Sequence, residues 1–144
     1  MTELDFLPDI TDPEFAPFWQ GCREERLLVQ CCSNGHRSWP PRPLCPQCHD
    51  ATRDWVEVGT SGSLYSWTVV HKSPLQYFSD QTPYIVAVVE LCADPVLRIL
   101  GRCLADPSEL HTGMLLQVQF EPMASEIVLP IWRPVEEDKR HEVA

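Results

Sequence analysis

Apolar residues recur at helical spacing near the start of the chain. Phe15, Phe18, Trp19 and Cys22 fall on one face of a helix. Residues 11–14 precede them with a capping side chain and a proline that suits a first helical turn. The pattern therefore predicts an amphipathic helix that begins at about residue 11. Its apolar face either packs on the rest of the chain or is offered to a partner protein.

The rest of the chain alternates apolar and polar residues as strands do. A first pair of predicted strands, residues 27–30 and 53–58, encloses a cysteine-rich segment. Beyond it, the predicted strands are residues 63–71, 84–92, 96–105, 116–120 and 127–132. Five such strands, with a break between the third and the fourth, are typical of a Greek-key barrel. We therefore predict a mainly β protein with an N-terminal helix, a ribbon and a C-terminal five-stranded barrel.

Within the barrel, the alternation predicts which side chains face the interior. Residues 84–92 carry β-branched side chains on both faces, as a central strand would. The Asp94–Pro95 pair predicts the turn that follows. In the next strand, apolar or small residues from Leu97 to Cys103 alternate with Arg98 and Arg102, which we expect to face outward.

The cysteine-rich segment contains a pair of metal-ligating side chains at close spacing. Cys45 and Cys48 form a C-x2-C pair in which Pro46 favours a tight turn. Such a turn directs both sulfurs at one point, which suits a tetrahedral cation. The pair therefore supplies half of a candidate zinc site.

A second pair lies earlier in the same segment. Cys32 stands where the first ligand of a zinc ribbon belongs, and Gly35 occupies the position three residues later. His36 follows and can ligate through an imidazole nitrogen. We predict a C-x3-H plus C-x2-C site for one structural zinc ion, with Cys31 and His49 as further candidates beside the pattern.

Three interpretations compete for these cysteines. A disulfide is disfavoured because no signal peptide precedes the segment. A thioredoxin-like redox motif needs a flanking strand and helix, whereas prolines surround this one. A structural zinc site remains, with a metal-free cysteine cluster as the weaker alternative. Four protein ligands would leave no open position for water or substrate, so the predicted metal supports the fold rather than catalysis.

Charge and composition limit the classes of partner that the protein is expected to bind and the compartment in which it is expected. The formal net charge is −10, from 21 acidic and 11 basic residues. In residues 60–135 four basic residues oppose seven acidic ones, a balance that repels a phosphate backbone. We expect no membrane span, because no apolar run reaches about 20 residues. Seven cysteines and an acidic start without a signal peptide favour a cytoplasmic protein.

Motifs of independent catalysis are absent from the sequence. It contains no Gly-x-Ser-x-Gly, no His-Glu-x-x-His and no phosphate-binding glycine loop. Cys92 and Cys103 lie in strand patterns, and Cys22 shares a helix face with Trp19, so all three are expected in the core. His71 has no carboxylate or thiol at a spacing that would orient it. We therefore do not expect an enzyme that acts alone.

Several stretches resemble one family over nearly the whole chain. They are Phe18-Trp19, Leu27-Leu28-Val29, residues 40–48 (Pro-Pro-Arg-Pro-Leu-Cys-Pro-Gln-Cys), residues 59–62, residues 66–71, residues 83–91 and Gly113-Met114. The chain resembles the zinc-ribbon/OB-fold proteins long catalogued as domain-of-unknown-function family thirty-five, which are encoded beside thiolases. Many members carry a cysteine where this chain has Gly35. The resemblance implies a rubredoxin-like zinc ribbon followed by an OB-fold barrel.

The resemblance also implies a role in which another chain performs the chemistry. Proteins of this family look like accessory subunits of thiolases, thiolase-like aldolases or carbon-acylating acetyltransferases, which they scaffold while helping to shape the acyl-CoA channel. This chain would then meet acyl-CoA indirectly, through the complex. The first alternative is a stand-alone module that binds acyl-CoA or another small ligand. A weaker alternative is an OB protein that binds single-stranded nucleic acid.

Two groups of side chains are candidates for contacts within such a complex. The predicted partner-binding aromatics are Phe15, Phe18, Trp19, Tyr77, Phe78 and Tyr84. Arg37 and Arg42 are predicted to face the phosphates of CoA, because arginine binds phosphate in a bidentate geometry. The alternative for the aromatics is that they only pack the ribbon onto the barrel.

The expected boundaries follow from these assignments. We expect an N-terminal arm and helix in residues 1–26 and the zinc ribbon in residues 27–59. The barrel is expected in residues 60–135, and a charged tail in residues 136–144.

Overall fold

The computed structural model describes residues 7–135, so the start of the predicted arm and the predicted tail, residues 1–6 and 136–144, lie outside it. The helices are α1 (Ala16–Arg23) and α2 (Gln76–Ser79), with a 3₁₀ turn at Pro107–Glu109. The strands are β1 (Leu27–Cys32), β2 (Arg37–Ser38), β3 (Arg53–Val58), β4 (Ser61–Val70), β5 (Tyr84–Leu91), β6 (Asp94–Cys103), β7 (Leu115–Ala124) and β8 (Ile127–Pro134). Neither described helix has the length and apolar character needed to cross a membrane.

Helix α1 begins later than its sequence pattern predicts. The carboxylate of Asp12 accepts the N–H of Glu14 at 3.0 Å, and its carbonyl accepts the N–H groups of Phe15 and Ala16. These bonds close a turn before the helix, so residues 11–14 form its approach rather than its first turn. Pro17 lies at the beginning of the helix, where a missing N–H costs little.

The ribbon is a three-stranded antiparallel sheet in the order β2-β1-β3. Gln30 pairs with Ser38 at one edge of β1, and Leu27 to Cys32 pair with β3 along the whole strand. The predicted returning strand at residues 53–58 is therefore confirmed. This sheet carries the first cysteine of the predicted metal site at the end of β1.

The remaining strands close into a barrel in the order β4-β5-β6-β8-β7, with β7 returning to β4. All neighbours are antiparallel except β6 and β8, which run parallel. Gly62 allows this closure, because a Cβ added there would lie 2.3 Å from Cγ1 of Val89 and 3.2 Å from the ring of Trp132. The predicted five-stranded barrel and mainly β fold are confirmed.

The barrel and the ribbon share one hydrophobic core. Trp132 is fully buried, and residues of β4 to β8 pack in the same cluster as Phe18 and Cys22 of α1 and Leu27 of β1. Helix α1 packs on both β1 and β8. Because the two modules are joined by a continuous apolar contact, their relative position is set by the same burial that stabilises each of them.

Two predicted details of the barrel are wrong. The turn after β5 lies at Cys92–Ala93, because Asp94 and Pro95 already belong to β6. Cys92 is exposed in that turn and is not a core residue. Strand β5 lies between β4 and β6, as predicted for a central strand, and it buries alternate side chains while its outward valines are half-buried. The long loop before β5 contains the short helix α2.

Candidate metal centre and aromatic cavity

The first half of the metal centre is a turn at the end of β1. The N–H of Gly35 donates to the carbonyl of Cys32 at 3.0 Å, and the N–H of His36 lies 3.3 Å from the Cys32 sulfur. Gly35 has a φ of +83°, a left-handed conformation that glycine adopts without steric cost. The turn therefore brings the imidazole of His36 back toward Cys32.

The second half is the turn that contains the C-x2-C pair. The N–H of His49 donates to the carbonyl of Cys45 at 2.9 Å, and the N–H of Gln47 lies 3.4 Å from the Cys45 sulfur. The N–H of Cys45 donates to the carbonyl of Asp50 at 2.9 Å. These bonds direct the side chains of Cys45 and Cys48 to the same side.

The two turns bring four candidate ligand atoms together. The atoms offered by Cys32, His36, Cys45 and Cys48 lie within 4.8 Å of one another. The sulfurs of Cys32 and Cys48 are 3.7 Å apart, as are the Cys45 sulfur and His36 Nδ1. Zn–S bonds of about 2.3 Å at tetrahedral angles place two sulfurs about 3.8 Å apart. The side chains therefore fit a tetrahedral zinc ion.

The local hydrogen bonds also favour thiolate, the species that binds zinc. Burial acts to raise the pKa of Cys45, but the N–H groups of Cys48 and Gln47, together with the side chains of Cys48 and His36, lower that pKa to about 6. The side-chain amide of Asn34, 3.3 Å from the Cys48 sulfur, lowers the pKa of Cys48. Burial raises the pKa of Cys32, although the N–H groups of His36 and Asn34 act to lower it.

A carboxylate connects the two turns beside the metal centre. Asp50 accepts the N–H of Ser33 at 2.9 Å and also accepts the Ser33 hydroxyl. It accepts the N–H of Thr52 at 3.0 Å as well. The Ser33 hydroxyl is the main reason that the pKa of Asp50 falls to about 2. The sequence shows these residues only as ordinary polar positions in a loop.

The two further ligand candidates lie outside the cluster. Cys31 precedes Cys32 on β1, where its thiol lies 3.6 Å from the Cys32 carbonyl. His49 is exposed, with a φ of 62°. Among residues 7–135, the metal-ligand cluster at this position comprises the four side chains named above and neither of these two.

The predicted partner-binding aromatics all line one cavity of about 620 Å³. Phe15, Phe18 and Trp19 come from α1 and the residue before it, whereas Tyr77, Phe78 and Tyr84 come from the loop before β5 and from the beginning of that strand. The barrel contributes most of the remaining wall through β5, β6, β7 and β8. Residues about 60 positions apart in the sequence thus surround the same space.

The aromatic rings that line this cavity form two groups of neighbouring rings. Trp39 lies 4.4 Å from Phe18 and 6.1 Å from Phe15, measured between ring centroids. Phe78 lies 4.9 Å from Tyr77 and 5.8 Å from Tyr84. Phe18 is only 3% exposed and belongs to the core, whereas the other five rings named here are partly exposed.

Among the cavity residues that sequence reasoning missed are Trp39 and Arg102. Trp39 follows β2 in the ribbon and contacts two rings of α1 and its approach. Its place beside the family-like motif at residues 40–48 was the available signal. Arg102 was expected to face outward from β6, which it does, but the outward side of β6 is here a wall of the cavity.

The two predicted CoA-facing arginines both line a second cavity. Arg37 and Arg42 line a smaller cavity of about 190 Å³ between the ribbon and β6. Trp39 lines this cavity and the aromatic one, so the two spaces share a wall. The backbone N–H of Arg42 donates to the side chain of Gln30 at 2.8 Å, which fixes the backbone of that loop.

Comparison with known proteins places both modules in one family. Residues 19–53 match the rubredoxin-like zinc ribbon domain of ChsH2, and residues 55–121 match the C-terminal OB-fold domain of ChsH2. A DUF35 domain-containing scaffold protein of Pyrococcus furiosus is 32% identical over 103 residues, which cover 70% of this chain and 74% of that protein. The chain belongs to the DUF35 family.

Other relatives of this DUF35 protein differ in length. A DUF35 domain-containing scaffold protein of Methanothermobacter thermautotrophicus is 26% identical over 99 residues, 67% of this chain and 72% of that protein. A probable enoyl-CoA hydratase alpha subunit of Thermomonospora curvata is 32% identical over 121 residues. That match covers 81% of this chain but 36% of the relative, so the chain spans about a third of that longer protein.

Solved structures resemble the DUF35 protein over most of its length. A chain of the Ltp2-ChsH2(DUF35) aldolase superposes with a TM-score of 0.78 at 29% identity, covering 88% of this chain and 98% of that one. A Sulfolobus solfataricus DUF35 protein of unknown function superposes with a TM-score of 0.61 at 15% identity, covering 88% and 89%. The second likeness concerns the fold alone.

These findings confirm the predicted structural zinc of the DUF35 protein, because a zinc-ribbon domain matches the segment that folds the four side chains together. The resemblance to the family, the zinc ribbon and the OB fold are likewise confirmed. The ligand assigned to each position, the partner-binding aromatics and the CoA-facing arginines stay predictions.

Proposed function

We propose that this chain is a non-catalytic accessory subunit that docks on a thiolase-superfamily enzyme, a thiolase, thiolase-like aldolase or carbon-acylating acetyltransferase. The observation that carries the proposal is that all six predicted partner-binding aromatics surround one cavity. Aromatic anchors beside a polar rim are typical of protein interfaces. Two relatives are named scaffold proteins, and a similar solved structure is that of an Ltp2-ChsH2(DUF35) aldolase, which supports the same role.

In this proposal the partly exposed rings at the cavity rim contact the enzyme. Trp19 of α1 and Tyr77 of α2 both line the cavity and are partly exposed, so an enzyme that covers the cavity would contact both. Phe18 is nearly fully buried and holds Trp19 and Trp39 in place. The centroid of its ring lies 5.0 Å from that of Trp19 and 4.4 Å from that of Trp39. Cytoplasmic location is part of the proposal, because none of the seven cysteines is in a disulfide in the described fold and three of them are proposed zinc ligands.

The ribbon arginines are proposed to lie toward the CoA entrance. Arg37 and Arg42 line the cavity that adjoins the aromatic one at Trp39, which supports the placement of the arginines near the aromatic rings. The guanidinium groups would bind phosphates, whereas the aromatic rings would face the acyl end. This chain would then help to shape the acyl-CoA channel of the complex without supplying a reacting group.

The zinc ion is proposed to be held by Cys32, His36, Cys45 and Cys48 and to act structurally. His36 would coordinate through Nδ1, the nitrogen that faces the Cys45 sulfur. Four protein ligands close the coordination sphere, so the metal contributes folding free energy to the ribbon rather than a reactive site. The residues of the ribbon then orient the cavity wall around Trp39.

Two buried thiols support the non-catalytic assignment. Burial raises the pKa of Cys22 to about 12 and that of Cys103 to about 11. Both thiols therefore stay protonated near neutral pH, where a nucleophile has to be thiolate. We expect the chain without its partner to show no thiolase, aldolase or acyltransferase turnover.

The second candidate function is a stand-alone module that binds a small ligand. The size of the aromatic cavity favours it, since cavities of about 300–1,000 Å³ are typical of small-molecule sites. Nucleic acid is the weaker candidate, because the acidic balance of the barrel opposes phosphate binding.

The proposal is tested with a thiolase-like enzyme, sought among the products of the genes that neighbour this one. The two proteins are co-purified, and acyl transfer or cleavage is assayed with and without the chain. Trp19→Ala and Tyr77→Ala are compared with the parent for folding by circular dichroism and for enzyme binding by calorimetry, with Tyr65→Ala as an exposed control outside the cavity. We expect both cavity variants to fold and to bind at least about tenfold more weakly. Parent-like binding by both variants would place the docking surface elsewhere.

The CoA part is tested separately with Arg42→Ala. We expect normal enzyme binding and a raised KM for acyl-CoA, because a phosphate contact is lost outside the docking surface. An unchanged KM contradicts the placement of the arginine without affecting the docking proposal. The matched control is Arg133→Ala, on β8, which lines neither cavity.

A further inference from the structure

The aromatic cavity contains a guanidinium whose charge is not neutralised within the described fold. Arg102 projects from the outward side of β6 into the cavity wall. Its Nη1 donates to Oε1 of Gln81, a neutral amide oxygen. Its Nε is buried and has no hydrogen-bond partner among residues 7–135, and no ion pair of this arginine occurs there either.

The neighbouring arginine on the same strand, Arg98, has the ion pair that Arg102 lacks within the described fold. Arg98, four residues earlier on the outward side, makes an ion pair with Glu90 at 3.2 Å. Its guanidinium also lies 3.9 Å from the centroid of the Tyr65 ring. Arg98 is thus fully engaged at the surface, whereas Arg102 has one neutral acceptor and the Tyr84 ring at 5.8 Å.

The surroundings of Arg102 favour an apolar ligand that carries one negative charge. Most of the cavity wall consists of aromatic and aliphatic side chains, which gain free energy by covering apolar surface. A partly desolvated cation with unused donors is stabilised by an anionic oxygen acceptor far more than by a neutral one. Glu121 also borders the cavity, but it is exposed and is not within ion-pair distance of Arg102.

We propose that the aromatic cavity binds a small apolar monocarboxylate, such as a medium-chain fatty acid, with its carboxylate on Arg102 and its apolar part among the aromatic rings. A planar guanidinium presents paired donors that match a carboxylate. Gln81 holds the guanidinium from the other side through Nη1. The proposal concerns the isolated chain, so it goes beyond the docking role and does not depend on it.

The test uses the full, zinc-loaded chain labelled with ¹⁵N and two probes of equal length, decanoate and 1-decanol. Chemical-shift titration reports both affinity and location. We expect decanoate to shift the indole N–H signals of Trp19 and Trp39 and the amide signals of Gly101 and Arg102, all residues of the cavity wall. We expect decanol, which lacks the charge, to bind at least about tenfold more weakly.

Two variants on β6 separate the specific contact from general surface charge. Arg102→Gln is expected to remove the preference for decanoate over decanol. Arg98→Gln removes a charge from the same strand but outside the cavity, and is expected to retain that preference. Unfolding of either variant is checked by its amide spectrum.

Several results would overturn the proposal. Equal binding of decanoate and decanol to the unaltered chain is one, and it needs no variant, so the proposal stays testable if Arg102→Gln fails to fold. Others are a preference that survives in folded Arg102→Gln, shifts confined to the exposed apolar residues Val96 and Leu115, or no saturable shift with decanoate. Each of these leaves the docking proposal standing, because enzyme binding is measured in a separate experiment.

Discussion

The carboxylate of Asp50 accepts both the backbone N–H and the hydroxyl of Ser33, which lies 17 residues away in the sequence. Ser33 follows the first candidate zinc ligand, Cys32, and Asp50 lies two residues after the last, Cys48. The contact thus fastens the two metal-binding turns to each other independently of the metal. Hydrogen bonds around a metal site orient its ligands and increase its affinity.

Replacing Asp50 is therefore expected to weaken zinc binding although the residue is not a proposed ligand. In Asp50→Asn the side chain keeps its size but loses the charge that two Ser33 donors face. We expect zinc affinity to fall by about tenfold or more, measured by competition with a chromophoric chelator. Asp54→Asn, an exposed carboxylate on β3, is the matched control. Equal zinc affinity of the Asp50 and Asp54 variants would contradict the role of the contact.

The ligand assignment is tested by replacing one proposed ligand and, separately, one cysteine outside the proposed set. Cys45→Ser is expected to lose stoichiometric zinc and to unfold the ribbon, because metal binding and ribbon folding are coupled. Cys31→Ser is expected to keep its zinc, since Cys31 lies outside the four-residue cluster. Elemental analysis and circular dichroism measure the two effects. A parent protein without stoichiometric metal after gentle purification, or equal loss in both variants, would refute the assignment.

The closure of the barrel predicts an uneven response to two glycine substitutions. A Cβ at Gly62 would lie 2.3 Å from Val89, so Gly62→Ala forces a shift in the packed interior. We expect it to lower the free energy of unfolding by about 1–3 kcal/mol. Gly59→Ala meets only the Cβ of Ala93 at 3.9 Å and is expected to be nearly neutral. Denaturant titration of the two variants makes the comparison, and similar midpoints would contradict it.

The burial of the thiols predicts their reactivity. We expect iodoacetamide at pH 8 to modify Cys92 in the zinc-loaded protein and to spare Cys22 and Cys103. Cys92 is exposed, whereas the pKa of the buried Cys22 is about 12 and that of Cys103 about 11. Peptide mass spectrometry after a timed reaction identifies the modified residues. Modification of Cys22 as fast as Cys92 would contradict this packing.

The raised pKa of Cys22 determines how the stability of the fold changes at alkaline pH. The folded pKa of Cys22 lies above its ordinary value of 9, so the folded state holds the proton more tightly than the unfolded state. Stability from this site is complete below about pH 9 and is lost as pH rises toward about 12. Cys22→Ala is expected to lower the stability near neutral pH and to make it less sensitive to pH between these two values. Denaturant titrations at several pH values measure both effects.

The sequence was most informative where a short-range pattern determines the structure. Cysteine spacing located the metal centre, since Cys45 and Cys48 act within one turn. Alternation located the strands, because inward and outward positions repeat every two residues. It also placed Arg102 on the outward side of β6. These predictions needed no information about which distant segments meet.

The remainder depends on contacts between segments far apart in the sequence. An outward position on β6 is ordinarily solvated, and only the docking of α1 and the loop before β5 turns the site of Arg102 into a cavity wall. Cys92 continues the β5 pattern, but the register with β6 ends one residue earlier at Leu91. The start of α1 was placed too early because the turn made by Asp12 uses the same residue types as a helix cap.

Trp39 makes the ribbon part of the aromatic cavity, because its ring lies against Phe18 while its backbone follows strand β2. Strand β2 is held to β1 by two residue pairs, Gln30 with Ser38 and Cys31 with Arg37. The two strands flank the turn between the proposed ligands Cys32 and His36. Removing the metal would therefore release a wall of the cavity as well as the ribbon itself. In the proposed complex, a chelator that binds at neither interface would then weaken the docking of this chain on the enzyme, so zinc supply would set how much complex assembles.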